Sequence, residues 1–263
     1  MVSRAPKAVP TVSTEAAHDL EDFAGLFRQL SDEGFEFAVV GGCAVVAYAS
    51  LLGEDLFSAD LDLYVTQETL SELLSWAPRN RLRIVKRPRP RNIPVAFLED
   101  DEGHEIDVLT SSKGLPKPEI VIRTARRFTL TAHGGLEVPV ADPFDLLGNK
   151  LAVARDKDRA HAEILRRFVE EEAVAAFSEE TEPRARLAPA RRLLGALQRK
   201  ALPAELADRL LDLARTPVDY RFLMGRVPTE EQAREILKRM ERREEELYRQ
   251  LEAIFATRRF DES

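Results

Sequence analysis

Nearly every run in this sequence that reads as a β-strand lies before residue 141, and from Asp142 onward apolar residues recur at helical spacing. That division limits the fold to an α+β domain followed by a helical one, and 263 residues are enough to give each part a buried core. The expected organisation is a flexible tail over residues 1–13, an α+β domain over 14–141 and a helical domain over 142–263. The α+β domain is expected to hold a small mixed β-sheet flanked by helices.

The order of elements sharpens this. Leu20, Phe23, Leu26, Phe27 and Leu30 place a helix over residues 14–32, with Glu15 and Asp19 early, where the helix dipole favours acids. Gly34 stops it. Phe35 to Val40 reads as a strand, Gly41-Gly42 as a turn, and the alanine-rich Cys43 to Leu51 as a second helix. After a loop at Gly53 to Ala59, Asp60 to Val65 reads as a strand, and Thr66 as the cap of a helix carrying Leu70, Leu73, Leu74 and Trp76. Further short strands are expected at Leu82 to Val85, Ile93 to Leu98, Glu105 to Leu109, Glu119 to Ile122 and Leu136 to Val140. Asp142-Pro143 is an N-cap and first-turn pair that opens the helical part, with breaks expected near Pro183, Pro189, Pro203, Pro217 and Pro228. The charge-dense Thr229 to Phe255 reads as one packed amphipathic helix with a solvated face.

Composition narrows the partners. A formal net charge of -7 gives no global attraction to nucleic acid or acidic membranes, so any polyanion site must be local. The single cysteine, Cys43, excludes an intramolecular disulfide framework and fits a reducing compartment, where it reads as a small packing residue. Residues 1–13 hold basic residues and prolines without an apolar core, and no later segment reaches membrane-spanning length without charges. A cytoplasmic protein with no membrane association is the expectation. His18, His104 and His133 are scattered without metal-ligand spacing and read as surface or structural residues.

The chemistry resides in Asp60-Leu61-Asp62. On a strand, residues two apart share a face, so Asp60 and Asp62 project together while Leu61 and Leu63 point into a core. Adjacent like charges are costly unless a cation neutralises them, and hard oxygen donors suit Mg²⁺. A lone Asp-x-Asp is also an ordinary solvated strand edge, so context matters. Gly41-Gly42 stands between a strand and a helix, where free N–H groups and the helix dipole favour an anion, and glycine lets a phosphate approach the backbone. Asp107 shares its strand face with Glu105 while Ile106 and Val108 face the core, which supplies a third carboxylate for a two-metal site.

Gly41-Gly42, Asp60-x-Asp62 and a distal Asp107 resemble the DNA polymerase β-like nucleotidyltransferase superfamily. The run from Asp142 to Lys150, followed by Ala154 to Asp158, is similar to the helical segment of the AbiEii-type toxin nucleotidyltransferases of bacterial toxin and antitoxin pairs. The resemblance covers roughly residues 35 to 165, and its specificity lies in the ordered combination. It implies two Mg²⁺ ions on Asp60, Asp62 and Asp107, with Asp107 helping to activate the acceptor hydroxyl. It further implies that Gly41 and Gly42 hold the triphosphate of an NTP substrate and that Lys150 makes a cationic contact to it. Ser58 stands where the family has Ser or Thr, as a phosphate contact or a plain turn serine. Lys157 and Asp158 complete the lysine and Lys-Asp pattern, although adjacent opposite charges are ordinary on exposed helices. The chain departs from the pattern in three places: a seventeen-residue gap between Gly42 and Asp60, Leu56 in place of an arginine, and His161 in place of an aspartate.

For the acceptor, the informative stretch is Arg79 to Arg91, with Arg79, Arg81, Arg83, Lys86, Arg87, Arg89 and Arg91 and no acid. It could track the phosphates of an RNA 3′ end or tRNA, or it could be a solvated hairpin held extended by Pro88 and Pro90. Three readings follow. The first is a toxin that transfers a nucleotide to RNA, in particular tRNA, and is restrained by an antitoxin protein. The second is transfer to a small hydroxylated molecule such as an aminoglycoside, or to a protein. The third is an inactive nucleotide-binding module, against which the intact Asp60, Asp62 and Asp107 argue.

Overall fold

The computed structural model describes residues 18–87 and 95–258. The described residues divide into two compact units, those within 18–112 and 116–141 and those within 113–115 and 142–258.

The first unit is built on a seven-stranded sheet. In chain order its elements are α1 (Ala24–Asp32), β1 (Ala38–Val40), α2 (Gly41–Leu51), β2 (Asp60–Tyr64), α3 (Gln67–Trp76), β3 (Arg83–Lys86), β4 (Val95–Glu99), β5 (Glu105–Leu109), α4 (Pro118–Thr124), β6 (Arg126–Leu130) and β7 (Leu136–Val140). The strands lie in the order β3-β4-β5-β2-β1-β7-β6. β1 pairs antiparallel with β2 and parallel with β7, and β2 pairs parallel with β5, in the register Asp60 to Glu105 and Asp62 to Asp107. Leu61, Leu63, Ile106 and Val108 are buried on one face, each contributing roughly 1.5–3 kcal/mol, while Asp60, Asp62 and Asp107 lie half-buried on the other. That alternation locks the register, because a slip of one residue would drive the carboxylates into the core.

The central helix α2 is apolar all round, with residues 42–49 buried. Its Tyr48 hydroxyl donates to the Ala141 carbonyl at 2.9 Å and its ring meets Phe128 edge-on. Thr66 caps α3 by accepting from the Thr69 N–H, as the sequence predicts.

The structure departs from the sequence reading in this unit at α4 and at β6. Residues 119–122, which the sequence predicts as a strand, lie within α4. Pro118 fixes the first helical turn, and burial falls on Pro118 and Val121, three apart, which is a helical rather than a strand repeat. The β-branched Ile120, Val121 and Ile122 carry strand propensity, and the local start signal overrides it. Conversely, β6 has no counterpart in the sequence reading. Its two arginines hide a strand alternation that exists because the whole run pairs with β7. Of the strand expected from Ile93 to Leu98, residues 93 and 94 lie outside the described residues.

The second unit contains α5 (Pro143–Val153), α6 (Asp156–Glu179), α7 (Pro183–Leu197), α8 (Ala204–Leu213), α9 (Pro217–Met224) and α10 (Glu230–Arg258). Asp142 caps α5 by accepting from the Phe144 N–H at 3.0 Å, and the Arg192 guanidinium grips the same carboxylate. The breaks near Pro183, Pro203, Pro217 and Pro228 fall at helix starts or between helices, but Pro189 lies inside α7. Its missing N–H removes one helical bond, and the buried Leu187, Ala190, Leu193 and Leu194 carry the helix through that defect.

Arg186 and Asp219 form the polar centre of this unit. Arg186 Nε donates to Asp219 Oδ1 at 2.9 Å, with the two side chains only 3% and 0% exposed. The guanidinium also donates to the Glu180 and Thr181 carbonyls and to the Thr216 hydroxyl. Asp219 accepts from the Arg215 and Thr216 N–H groups. Burial alone would raise the Asp219 carboxyl, yet these hydrogen bonds hold it below its ordinary value. No helix among the described residues is long and apolar enough to cross a membrane.

Candidate active site

The parallel register of β2 and β5 brings three carboxylates together. One oxygen each from Asp60, Asp62 and Asp107 lies within 4.8 Å of the others. Three half-buried anions at that spacing repel one another, and their all-oxygen donor set fits a hard divalent cation.

The glycine turn is shaped around these acids. Val40 pairs with Asp62 across β1 and β2, so Gly41, the first residue of α2, sits beside the Asp62 side chain. Its φ is +67°, and a Cβ added there would lie 1.6 Å from Asp62 Oδ2. Gly41 is therefore required twice, by its left-handed backbone and by the space the carboxylate fills. Gly41→Ala is expected to displace Asp62 and cut a metal-dependent activity by about 100-fold or more, the scale of a 1 Å error in a reacting group. Activity assays beside a far-UV circular dichroism spectrum check this; wild-type turnover in the variant would refute it.

Gly42 makes a second close approach, since a Cβ there would lie 2.1 Å from Ser58 Oγ. The Ser58 hydroxyl donates to the Asp60 carbonyl at 3.0 Å and to Asp60 Oδ1 at 3.3 Å. Cys43 Sγ donates to the same carbonyl at 3.2 Å. Burial pushes the Cys43 thiol up to about 12, against a lowering contact from Ser58 and with added push from the Asp62 and Asp60 charges. It therefore stays protonated and serves as a donor. His18 pairs its backbone with Ser58 in both directions, at 2.8 and 2.9 Å. Its ring meets that of His104 edge-on at 4.5 Å, and the Asp22 and Asp100 carboxylates accept from Nδ1 of His18 and of His104, at 3.3 and 2.8 Å. The roles of Cys43 and His18 around the entry to β2 are invisible in the sequence, because both act through long-range contacts that no local spacing announces.

Lys150, Lys157 and Asp158 belong to the second unit, where they divide. Lys157 is exposed, whereas Lys150 on α5 is 3% and Asp158 on α6 is 1% exposed. The sequence comparison with exposed helical charges does not hold for Asp158: its carboxylate lies 3.5 Å from Lys150 Nζ and takes two hydrogen bonds from the Arg155 guanidinium and one from the Arg155 N–H. Burial would raise this carboxyl, but Arg155 and the Lys150 charge outweigh it and hold it at about 2. The sequence signal for Arg155 is its position three residues before Asp158, across the helix start.

One turn further along α6, His161 has a buried Nδ1 with no hydrogen-bond partner. Burial, then the Lys150 charge, lowers its imidazole from 6.5 to about 4. Its neutral form is thus favoured on folding, so its contribution is complete above pH 6.5 and is lost as pH falls through about 4. His161→Gln is expected to flatten the fall of the urea midpoint over that window, leaving the Asp158 contribution to fade at lower pH.

Of the basic strip, Arg79, Arg81, Arg83, Lys86 and Arg87 are described, while Arg89, Arg91, Pro88 and Pro90 lie outside the described residues. Arg83 pairs with Glu99 directly across β3 and β4, Arg81 approaches Asp101 at 3.6 Å, and Lys86 Nζ lies 4.8 Å from the centre of the Phe97 ring. Neighbouring acids therefore offset part of a charge that looks unopposed along the chain.

Residues 19–75, which span α1 to α3 and contain Gly41, Gly42, Ser58, Asp60 and Asp62, match a family described as nucleotidyl transferase of unknown function. No curated protein matches the chain. Similar solved structures include an antigenic nucleotidyltransferase-like protein from Paracoccidioides brasiliensis, at 17% identity over 80% of this chain and 93% of that one, with a TM-score of 0.31. ANT(2")-Ia in complex with adenylyl-2"-tobramycin is 15% identical over 66% of this chain and 96% of that one, with a TM-score of 0.40. The apo CCA-adding enzyme is 16% identical over 82% of this chain and 64% of that one, with a TM-score of 0.29. The family match supports an enzyme of the nucleotidyltransferase class. The seven-stranded sheet with flanking helices and a helical C-terminal unit is consistent with that fold.

Proposed function

We propose that this protein is a metal-dependent nucleotidyltransferase that moves a nucleoside monophosphate from an NTP to an acceptor hydroxyl. The observation that carries the proposal is the convergence of Asp60, Asp62 and Asp107 beside the glycine start of α2, with the turn and the first two acids inside the family-matched segment.

Mg²⁺ suits the three carboxylate oxygens, and two such ions, when bound, would polarise the attacking and leaving oxygens. Asp60 and Asp62 would hold the metal, and Asp107 would complete the site and accept the proton from the acceptor hydroxyl. The backbone N–H groups at Gly41 and Gly42, left without helical partners at the start of α2, bind the triphosphate, and the absence of side chains there admits it. Attack of the acceptor oxygen on the α-phosphorus forms the new P–O bond, and the bond to pyrophosphate breaks. Lys150 is the cation assigned to the nucleotide phosphates, lying 3.5 Å from Asp158, with Lys157 and Asp158 completing the Lys-Asp pattern.

The acceptor we favour is RNA, in particular tRNA, with the protein acting as a cytoplasmic toxin held in check by an antitoxin partner. The RNA reading rests on Arg79, Arg81, Arg83, Lys86 and Arg87 around edge strand β3, which outnumber the acids Glu99 and Asp101 facing them. The toxin reading rests on the resemblance of residues 142–158. Incubating the protein and Mg²⁺ with each α-labelled NTP, plus total RNA, cell protein or aminoglycosides, tests both. Label in RNA, diminishing steeply with salt, is the expected outcome. Label on protein or aminoglycoside would replace the acceptor, and no metal-dependent transfer to any of them would overturn the assignment.

A further inference from the structure

The Ser58 hydroxyl has a single proton, and in this structure it is directed at Asp60 rather than left open to a ligand. The donor reaches the Asp60 carbonyl at 3.0 Å and Oδ1 of the same residue at 3.3 Å, so one hydroxyl spans the backbone and the carboxylate of a single residue. Ser58 itself is only 8% exposed and is restrained from two sides. Its backbone pairs with His18 through both N–H and C=O, and its Oγ sits against the Cα of Gly42, in space that any other residue at that position would fill. A buried hydroxyl fixed in this way narrows the side-chain rotamers open to Asp60.

We propose that Ser58 is a positioning residue for the metal site: by bridging the backbone and carboxylate of Asp60, it presets the oxygen that meets Asp62 and Asp107. This rests on the metal-site reading above and gives the Ser58 hydroxyl a role other than the phosphate contact that the family resemblance implies. An unrestrained Asp60 would sample other rotamers, driven apart from its two anionic neighbours, and a metal would have to order it on binding. Restraint by Ser58 removes that cost before the ion arrives, as hydrogen bonds to metal-ligating side chains do elsewhere.

The test is a titration of the purified full chain with Mn²⁺ alone, followed by loss of the free-ion EPR signal, with no nucleotide or acceptor present. Ser58→Ala is expected to weaken Mn²⁺ binding by about tenfold, the lower end of the effect of removing such a partner. Ser58→Thr, which keeps the donor, is expected to bind within about twofold of wild type. In an Asp60→Asn background the further change Ser58→Ala is expected to have no effect on Mn²⁺ binding, because the residue it positions is already disabled. Circular dichroism and melting of every variant check the fold. Equal Mn²⁺ affinity in wild type and Ser58→Ala, or a Ser58→Ala loss that persists unchanged in the Asp60→Asn background, would overturn the positioning role while leaving the metal site standing. Absence of Mn²⁺ binding to the wild-type chain would instead overturn the metal site and the positioning role together.

Discussion

Asp62→Ala is expected to abolish the proposed nucleotide transfer, with a loss on the order of 1,000-fold or more, and to leave the fold intact. The size follows from removing a central member of the carboxylate group and with it several kcal/mol of metal-derived stabilisation of the transferring phosphoryl group. The fold survives because Asp62 is half-buried on the face of β2 opposite the core, where Leu61 and Leu63 pack. The stability change also has a definite sign. In the presence of a chelator the wild type carries three mutually repelling carboxylates, so the variant melts at the same temperature or higher. With Mg²⁺ added, the wild type is expected to gain in melting temperature by mass action and the variant to gain less. Asp60→Ala and Asp107→Ala are expected to behave alike in both measurements. Full retention of metal-dependent transfer in Asp60→Ala and Asp62→Ala would remove the active-site assignment.

Arg186→Met is expected to unfold or severely destabilise the second unit. The guanidinium satisfies the buried Asp219 carboxylate and, in addition, two carbonyls and a hydroxyl. Removing one member of such a pair leaves a charge in the interior without its partner, which costs about 3–5 kcal/mol, a large fraction of the stability of an ordinary domain. Asp219→Asn is milder, because the amide oxygen can still accept from the Arg215 and Thr216 N–H groups while the ion pair is lost. Urea denaturation of both variants, read against the double variant Arg186→Met with Asp219→Leu, separates the unpaired charge from lost packing. A double variant more stable than Arg186→Met alone is the expected order. A loss below about 1 kcal/mol for Arg186→Met would contradict the network described here.

The sequence carried the site's architecture where chemistry and periodicity coincide. The alternation Asp60-Leu61-Asp62-Leu63 and Glu105-Ile106-Asp107-Val108 assigns faces correctly without any knowledge of pairing, because one face must be buried. The choice of β5 as the parallel neighbour of β2 is not legible, since it depends on which strands the rest of the sheet leaves available. The same limit applies to β6, whose Arg126 and Arg127 read as loop until β7 is placed beside them. In the helical unit, Asp142-Pro143 announced its start, but Pro189 misled. A proline's local cost is readable from sequence, and the packing that outweighs it is not. Asp158 exposes the same gap from the other side: its pairing with Lys150 needs the meeting of two helices, which spacing along α6 alone does not reveal.

The parallel pairing of β2 with β5 also dictates an order of events when the chain folds. Asp60 and Asp62 arrive on one strand, but Asp107 reaches them only after the chain from residue 65 to 104, with α3, β3 and β4, has looped around and closed. Parallel neighbours cannot be joined by a tight turn, and closing so long a loop is entropically slow compared with forming the adjacent β4–β5 pair. Ion uptake at the proposed site would serve as a clock for the non-local step: in refolding, secondary structure is expected to rise first and ion uptake to follow once the long crossover has shut.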